Sequence, residues 1–451
     1  MATIARPAPL PGRTTDGERV PSSMPPKARI QVRRTRVIAL GILTIISFVL
    51  SYSVERRFAA TGGFAQYNVF FDADPNLWLP RIANGWGAVD FKHLNATTFL
   101  NPPVRVAAAI AHATHFSSLA PEALRESIAL LVVPLLSALR TVVLFSLFAG
   151  LGLSLPATSS LCLLDMFSFS RVVFGSVPES FAISGTIIAT LFWLAARNDR
   201  ISTRWWWAAW IALSTLAIGI TVTNVIPVAC VLAMLAIRSP NPRWTIVARA
   251  IAVIVAAFAI NFAFARIESR VYGEPATLGY NPQADEFVHL DPVEAGAELR
   301  WAVPNTFLAP RPSTRPNSVA LQAKSRYGFM FTYATPEASP SQWLTAGIVL
   351  LMLIGGALGF RYARDDRLFR ALAVTGVVIV MVNLGMHLAF GSEYFLYTQH
   401  WEVPLLICIA GITLHRDGDR RVALSALFSF TAAVGVVSLT NIASMLERLA
   451  S

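Results

Sequence analysis

"ESIALLVVPLLSALRTVVLFSLF", residues 126–148, is an apolar run of bilayer length with one arginine, Arg140, near its middle. About 20 mainly apolar residues are needed to cross the hydrocarbon core of a membrane. Such runs recur along the chain, at 37–54, 153–173, 180–196, 206–222, 224–237, 246–264, 342–360, 371–390, 400–414 and 422–441. The runs 224–237 and 400–414 are short. Fourteen helical residues rise only about 21 Å, so each must borrow flanking residues or cross where the bilayer thins. Composition agrees with this class. The chain of 451 residues is 55% hydrophobic and 14% charged, with mean hydropathy +0.55, whereas soluble domains carry about 25% charged residues. The expected fold is an all-α polytopic membrane protein with about 11 transmembrane helices and two long outward-facing loops.

Charge orients the chain. With the N-terminus inside, Arg197, Arg200 and Arg204 fall inside, as do Arg238 and Arg243. So do Arg361, Arg364, Arg367 and Arg370, and then Arg416, Arg420 and Arg421. Every short arginine-rich loop lands on one face, as the positive-inside rule requires. The net charge of +11 therefore reads as topology, not as nucleic-acid binding. The expectation is a multi-pass protein of the plasma (inner) membrane with a cytoplasmic N-terminus. Residues 1–36 hold six prolines, eight Lys or Arg and two acids, and read as a disordered basic tail. "FAATGG" after the first apolar run has the small residues of a signal-peptide cleavage site. The long basic lead and the longer apolar run favour an uncleaved helix. The transmembrane domain then covers 37–441, with outward segments 55–125 and 265–341 and a short C-terminal tail, 442–451. Short surface helices are expected at 75–85 and 104–118, the latter alternatively a re-entrant piece. The seven histidines are scattered and Cys162, Cys230 and Cys408 all fall in apolar runs, so no metal-ligand spacing and no disulfide framework emerges.

Several polar features stand at the outward ends of helices. In "FFDADP", Asp72 and Asp74 lie two residues apart; on a strand or extended loop they face the same way and can supply a base or oxygen ligands for a divalent cation. As the bland alternative, either is a turn acid before Pro75. In "GSVPESFAIS", Glu179 follows Pro178 at the start of a helix, where an acid complements the helix dipole whether or not it binds anything. "GSEYFLYTQHWEVPLL" packs Glu393, Glu402 and His400 among Tyr394, Tyr397 and Trp401; an aromatic belt explains the rings but not the charges. "FKHLNATTFLNPPV" offers Lys92 and His93 as a phosphate-binding pair or an exposed loop pair. Deeper in the membrane, Arg140 and Asp165 fall at similar depth on antiparallel neighbours and read as a structural ion pair, since charges at that depth are costly unless paired.

The order of these features resembles the GT-C superfamily of integral-membrane glycosyltransferases, which includes the protein O-mannosyltransferases and bacterial enzymes that transfer aminoarabinose from polyprenyl phosphate. The resemblance is one of architecture: a first helix, a long outward loop with an acidic motif, a helical bundle, then a second large outward segment. It implies that Asp74, or Asp72, is the catalytic base. "SRVVFGSVPESF" is similar to the segment where a glutamate opens a helix at the active-site face, which carries over to Glu179. "GITVTNVIP" resembles a polar outward turn, with Asn224, and "EYFLYTQHW" a late outward segment, with Glu393, Tyr394 and His400. The implied donor is a polyprenyl-phosphate sugar, its leaving phosphate met by Arg81, Lys92, Arg105 or Arg171, and no metal or other cofactor is required. One departure is that Asp72 is followed by Ala73, where the O-mannosyltransferases carry a second acid. The rival expectation is a multi-pass transporter or a flippase of lipid-linked sugar, for which Arg140 and Asp165 are the sequence signal.

Overall fold

A computed structural model of the chain describes residues 26–66, 68–85, 93, 95–239, 243–272, 301–316, 327–333, 340–361, 367–387, 394–415 and 417–451. Six helices are long and apolar enough to cross a membrane. They lie in α1 (Pro26–Ala60), α4 (Pro121–Gly150), α10 (Arg243–Tyr272), α11 (Pro340–Gly359), α12 (Arg367–His387) and α14 (Asp417–Ala450). Shorter apolar helices fill the bundle between them: α5 (Leu155–Phe167), α7 (Ser180–Ala196), α8 (Thr203–Ile220), α9 (Val225–Arg238) and α13 (Glu402–Ala410). This is an integral membrane protein.

Helix α7 is the centre. Its sequence, "SFAISGTIIATLFWLAA", is apolar on every side, and a helix of that kind must be buried all round. It packs on α4, α8, α9, α13 and the 3₁₀ segment Tyr394–His400. The long helices surround it and leave large apolar side chains facing away from the protein, such as Val374, Val377 and Met381 on α12.

At one end of the bundle the chain forms surface structure. Here lie α2 (Pro75–Asn84), α3 (Ala96–Ala113) and an antiparallel hairpin, β1 (Ser313–Pro316) with β2 (Phe329–Thr332). Pro75 opens α2 at a first-turn position where its missing N–H costs nothing, and Gly85 closes it with φ 74°. The two segments separated by most of the bundle meet at this hairpin end: Phe331 N donates to Val69 O (2.9 Å) and Tyr327 Oη to Thr61 O (2.5 Å).

Four expectations change. The region read as a disordered N-terminal tail is already helical from Pro26. Once a helix is nucleated each further residue adds a hydrogen bond, and "ARIQVRRTR" has no proline or glycine to stop it. The expected C-terminal tail is the end of α14; Ile442, Met445 and Leu449 recur at helical spacing and are buried. The helix expected at 104–118 starts at Ala96, running through Pro102 and Pro103. Finally, the run 153–173 is not one helix. Ser168, at φ −56° and ψ 142°, breaks it into α5 and a short α6 (Phe169–Phe174), and its Oγ caps α6 by accepting from Arg171 N (3.1 Å).

Candidate functional site

The hairpin end is organised around a turn at Phe70–Ala73. Ala73 N donates to Phe70 O (3.0 Å), and both central residues have positive φ, Phe71 at 55° and Asp72 at 65°. That is the arrangement of a type I′ turn. Asn68, at φ 52°, precedes it. Four non-glycine residues have positive φ among the described residues, and three fall in these five positions. A bulky aromatic at positive φ is an outlier, and such strain costs about 1–3 kcal/mol per residue unless the surroundings enforce it.

The surroundings do enforce it. The Phe71 ring is fully buried, 4.6 Å from Phe395, 5.3 Å from Tyr333 and 6.1 Å from Phe169 between centroids. Asn68 Nδ2 donates to Asp72 Oδ1 (2.6 Å). Glu179 then ties the turn to the bundle. It is the N-cap of α7, one residue before the helix starts; its Oε1 accepts from Ser180 N (2.7 Å) and its Oε2 from Asp74 N (3.0 Å). Asp74 is in turn the N-cap of α2, its carbonyl accepting from Leu77 N and Trp78 N.

Asp72, Asp74 and Glu179 are therefore brought together, though not as two carboxylates on one face of an extended strand. The left-handed turn replaces the strand because Phe71 must enter the aromatic cluster. Asp72 and Asp74 are half-buried, and Glu179 is buried. Among the described residues no group of three or more His, Cys, Asp or Glu is placed to hold a metal ion.

The second polar site lies inside the bundle. Arg140 of α4 pairs through Nη2 with Asp165 of α5 and with Glu402 of α13 (3.1 Å), while its Nη1 donates to Gln399 Oε1 (2.5 Å). Arg171 Nε stands 3.7 Å from Asp165 Oδ2, and its Nη2 donates to Ser137 O (2.6 Å). Ser168 Oγ donates to Glu402 Oε1, and Gln399 Nε2 to Glu402 Oε2 and Ser170 Oγ (2.6 Å each). Two cations and two anions cancel, and all four side chains are at most 2% exposed. Buried ions persist only when paired and hydrogen-bonded in this way. Gly185 makes room for it, since a Cβ there would collide with Arg140 Nη1 and Gln399 Oε1.

The remaining sequence candidates divide. Arg171, expected near the outer surface, is in the buried cluster because the break at Ser168 turns α6 inward. His400 and Tyr394 are buried; His400 packs against Phe181 and His387 at 5.8 and 6.3 Å, inside an aromatic stack. Asn224 donates to Ser184 Oγ and Ala217 O (3.0 Å each), holding α7, α8 and α9 together. His93 Nδ1 lies 2.9 Å from Ile220 O, with its ring edge-on to Trp78. Arg81 stands over the Trp78 ring at 5.9 Å, and Arg105 is exposed on α3. Lys92 and Glu393 lie outside the described residues. Glu402, Gln399 and Arg171 form a cluster that sequence distance conceals, although "QHWE" among aromatics is a visible signal for two of them. Glu55, which the sequence placed just past the first apolar run, lies on α1; it is fully buried, with neither carboxylate oxygen hydrogen-bonded among the described residues.

Comparison with protein-family models and with curated proteins gives no match.

Proposed function

We propose that this protein is an inverting glycosyltransferase that moves a sugar from a polyprenyl-phosphate donor to a cell-envelope acceptor on the outer face of the plasma membrane. The N-terminus is cytoplasmic, and eleven helices cross the bilayer, the five shorter ones sheltered within the bundle. What carries this reading is the turn at Phe70–Ala73. It sets half-buried Asp72 on strained backbone and half-buried Asp74 directly after it, beside Glu179 at the start of α7, the end opposite Arg197. Strain maintained by surrounding contacts is a mark of functional sites.

In this reading Asp74 is the general base. Its carboxylate takes the proton of the acceptor hydroxyl as that oxygen bonds to the anomeric carbon, and the bond from that carbon to the phosphate oxygen breaks. The polyprenyl phosphate leaves with the electron pair, its charge met by Arg81, Arg105 or Lys92. Asp72, oriented by Asn68, positions the acceptor. The transporter or flippase reading draws on the charges in α4 and α5. Those charges are balanced within a four-ion cluster that also includes Arg171 and Glu402, which supports a structural role for them.

Purified protein in vesicles, given a polyprenyl-phosphate sugar and an extract of envelope acceptors, separates the two readings. Transfer consumes the donor and releases polyprenyl phosphate in step with glycosylated acceptor. Donor that crosses the bilayer unchanged would overturn the transferase reading.

A further inference from the structure

Helix α12 is flanked by two open grooves that both begin at its arginine-bearing end. One, of about 700 Å³, runs between α12, α11 and α13; the other, of about 540 Å³, runs between α12 and α9. Small side chains leave this space: Ala357 and Ala373 line the first groove, Ala233 and Ala371 the second. Both grooves are lined mainly by apolar atoms, and both include Arg370, Val374 and Val378. Those three residues, spaced four apart, form one ridge along α12, so the grooves lie on the two sides of a single ridge and meet at Arg370.

The dimensions suit lipid chains. The first groove extends along α12 from Arg370 to Leu384, fourteen residues or about 21 Å, and the second from Arg370 to Val378, about 12 Å. One leaflet of hydrocarbon is about 15 Å thick. The charge at the shared end is positive. Arg238 and Arg367 line the second groove together with Arg370, and the segment 361–370 holds four arginines against two aspartates. Basic clusters at the ends of membrane helices attract anionic lipid head groups.

We propose that one anionic diacyl phospholipid straddles α12, with its phosphate at Arg370, Arg367 and Arg238 and one acyl chain in each groove. A neutral head group lacks the charge for the arginine end, and a single-chain lipid leaves one groove unfilled.

Native mass spectrometry of the full chain, released from micelles containing phosphatidylglycerol or phosphatidylcholine, tests this. The wild-type protein should retain phosphatidylglycerol over phosphatidylcholine, and diacyl over lyso-phosphatidylglycerol. Arg367→Gln with Arg370→Gln should erase the head-group preference. Ala371→Phe and Ala357→Phe, each filling one groove, should erase the diacyl preference while leaving the head-group preference in place. Matched melting temperatures and elution volumes establish that each variant is folded. Equal retention of both lipids by the wild-type protein would overturn the proposal without any variant. So would an unchanged preference in the arginine pair, or displacement of the lipid by glycerol phosphate alone.

Discussion

The buried cluster in the bundle and the turn at its hairpin end use the same kinds of residue to opposite ends. In the cluster, Asp165 and Glu402 are fully enclosed and matched by Arg140 and Arg171. The formal charges there balance within the cluster. At the turn, Asp72 and Asp74 are half-buried, and Asp72 sits on backbone that is held in an unfavourable conformation. The two regions share supports. Helix α6 and its cap supply Phe169 to the packing under Phe71, and Arg171 and Ser168 to the cluster. The segment Tyr394–His400 likewise supplies Phe395 to one and Gln399 to the other. A carboxylate in this protein is read by what surrounds it: paired charges brace the bundle, and the strained turn keeps its acids half-buried at the bundle's end.

The largest effect is expected where a charge would be stranded. Arg140→Ala removes the cation that faces both Asp165 and Glu402, and breaking a buried pair costs about 3–5 kcal/mol. The melting temperature in detergent should fall sharply, and Arg140→Ala with Asp165→Ala should recover part of the loss, since Arg171 and Glu402 still balance. A double variant no more stable than the single would mean that the charges do not stabilise one another.

Next in size is the tie between the regions. Glu179→Ala leaves the amides of Asp74 and Ser180 without their acceptor, and an unsatisfied buried donor costs about 1–3 kcal/mol. Glu179→Gln keeps one side-chain oxygen and should lose less. Limited proteolysis of folded protein should open the chain first near residues 68–74 in Glu179→Ala; cleavage elsewhere, with that stretch intact, would remove Glu179 as the tie.

The smallest expected change in stability is at Asp72. Glycine accepts positive φ without steric cost, so Asp72→Gly relieves strain while losing the bond from Asn68. The two terms are each about 1 kcal/mol, and the melting temperature should move little. Asp165→Gly, by contrast, should destabilise the protein strongly. If Asp72→Gly were as damaging, Asp72 would be a bracing residue like Asp165.

Much of the fold was legible. The apolar runs mark the helices because hydrophobicity alone decides what can lie in a bilayer, and "SFAISGTIIATLFWLAA" reads as α7 to the residue. Pro75 marks the start of α2 because its missing N–H costs nothing in a first turn. Other boundaries were hidden. "LDMFSFSRVVF" offers no proline or glycine at Ser168, and the break there goes with the bonds that Ser168 makes to Glu402 and Arg171 to the Ser137 carbonyl. Arg140 with Asp165 could be read from depth, because two unpaired charges in a membrane call for each other. Their partners could not, because Glu402 lies 237 residues from Asp165 and only packing unites them. The acids of "FFDADP" stood out by spacing, but the left-handed turn that holds them is set by the distant rings of Tyr333 and Phe395.

Transfer by Asp74→Asn tests the central claim most directly. Asparagine keeps the shape at the N-cap and removes only the basicity, so donor binding and melting temperature should match the wild-type protein. General-base catalysis is worth about 10²- to 10⁴-fold, and turnover of the polyprenyl-phosphate sugar should fall by that factor, with a smaller loss in Asp72→Asn. Near-wild-type turnover in both variants would contradict the account, leaving the strained turn as a structural corner and the transferase reading without its base.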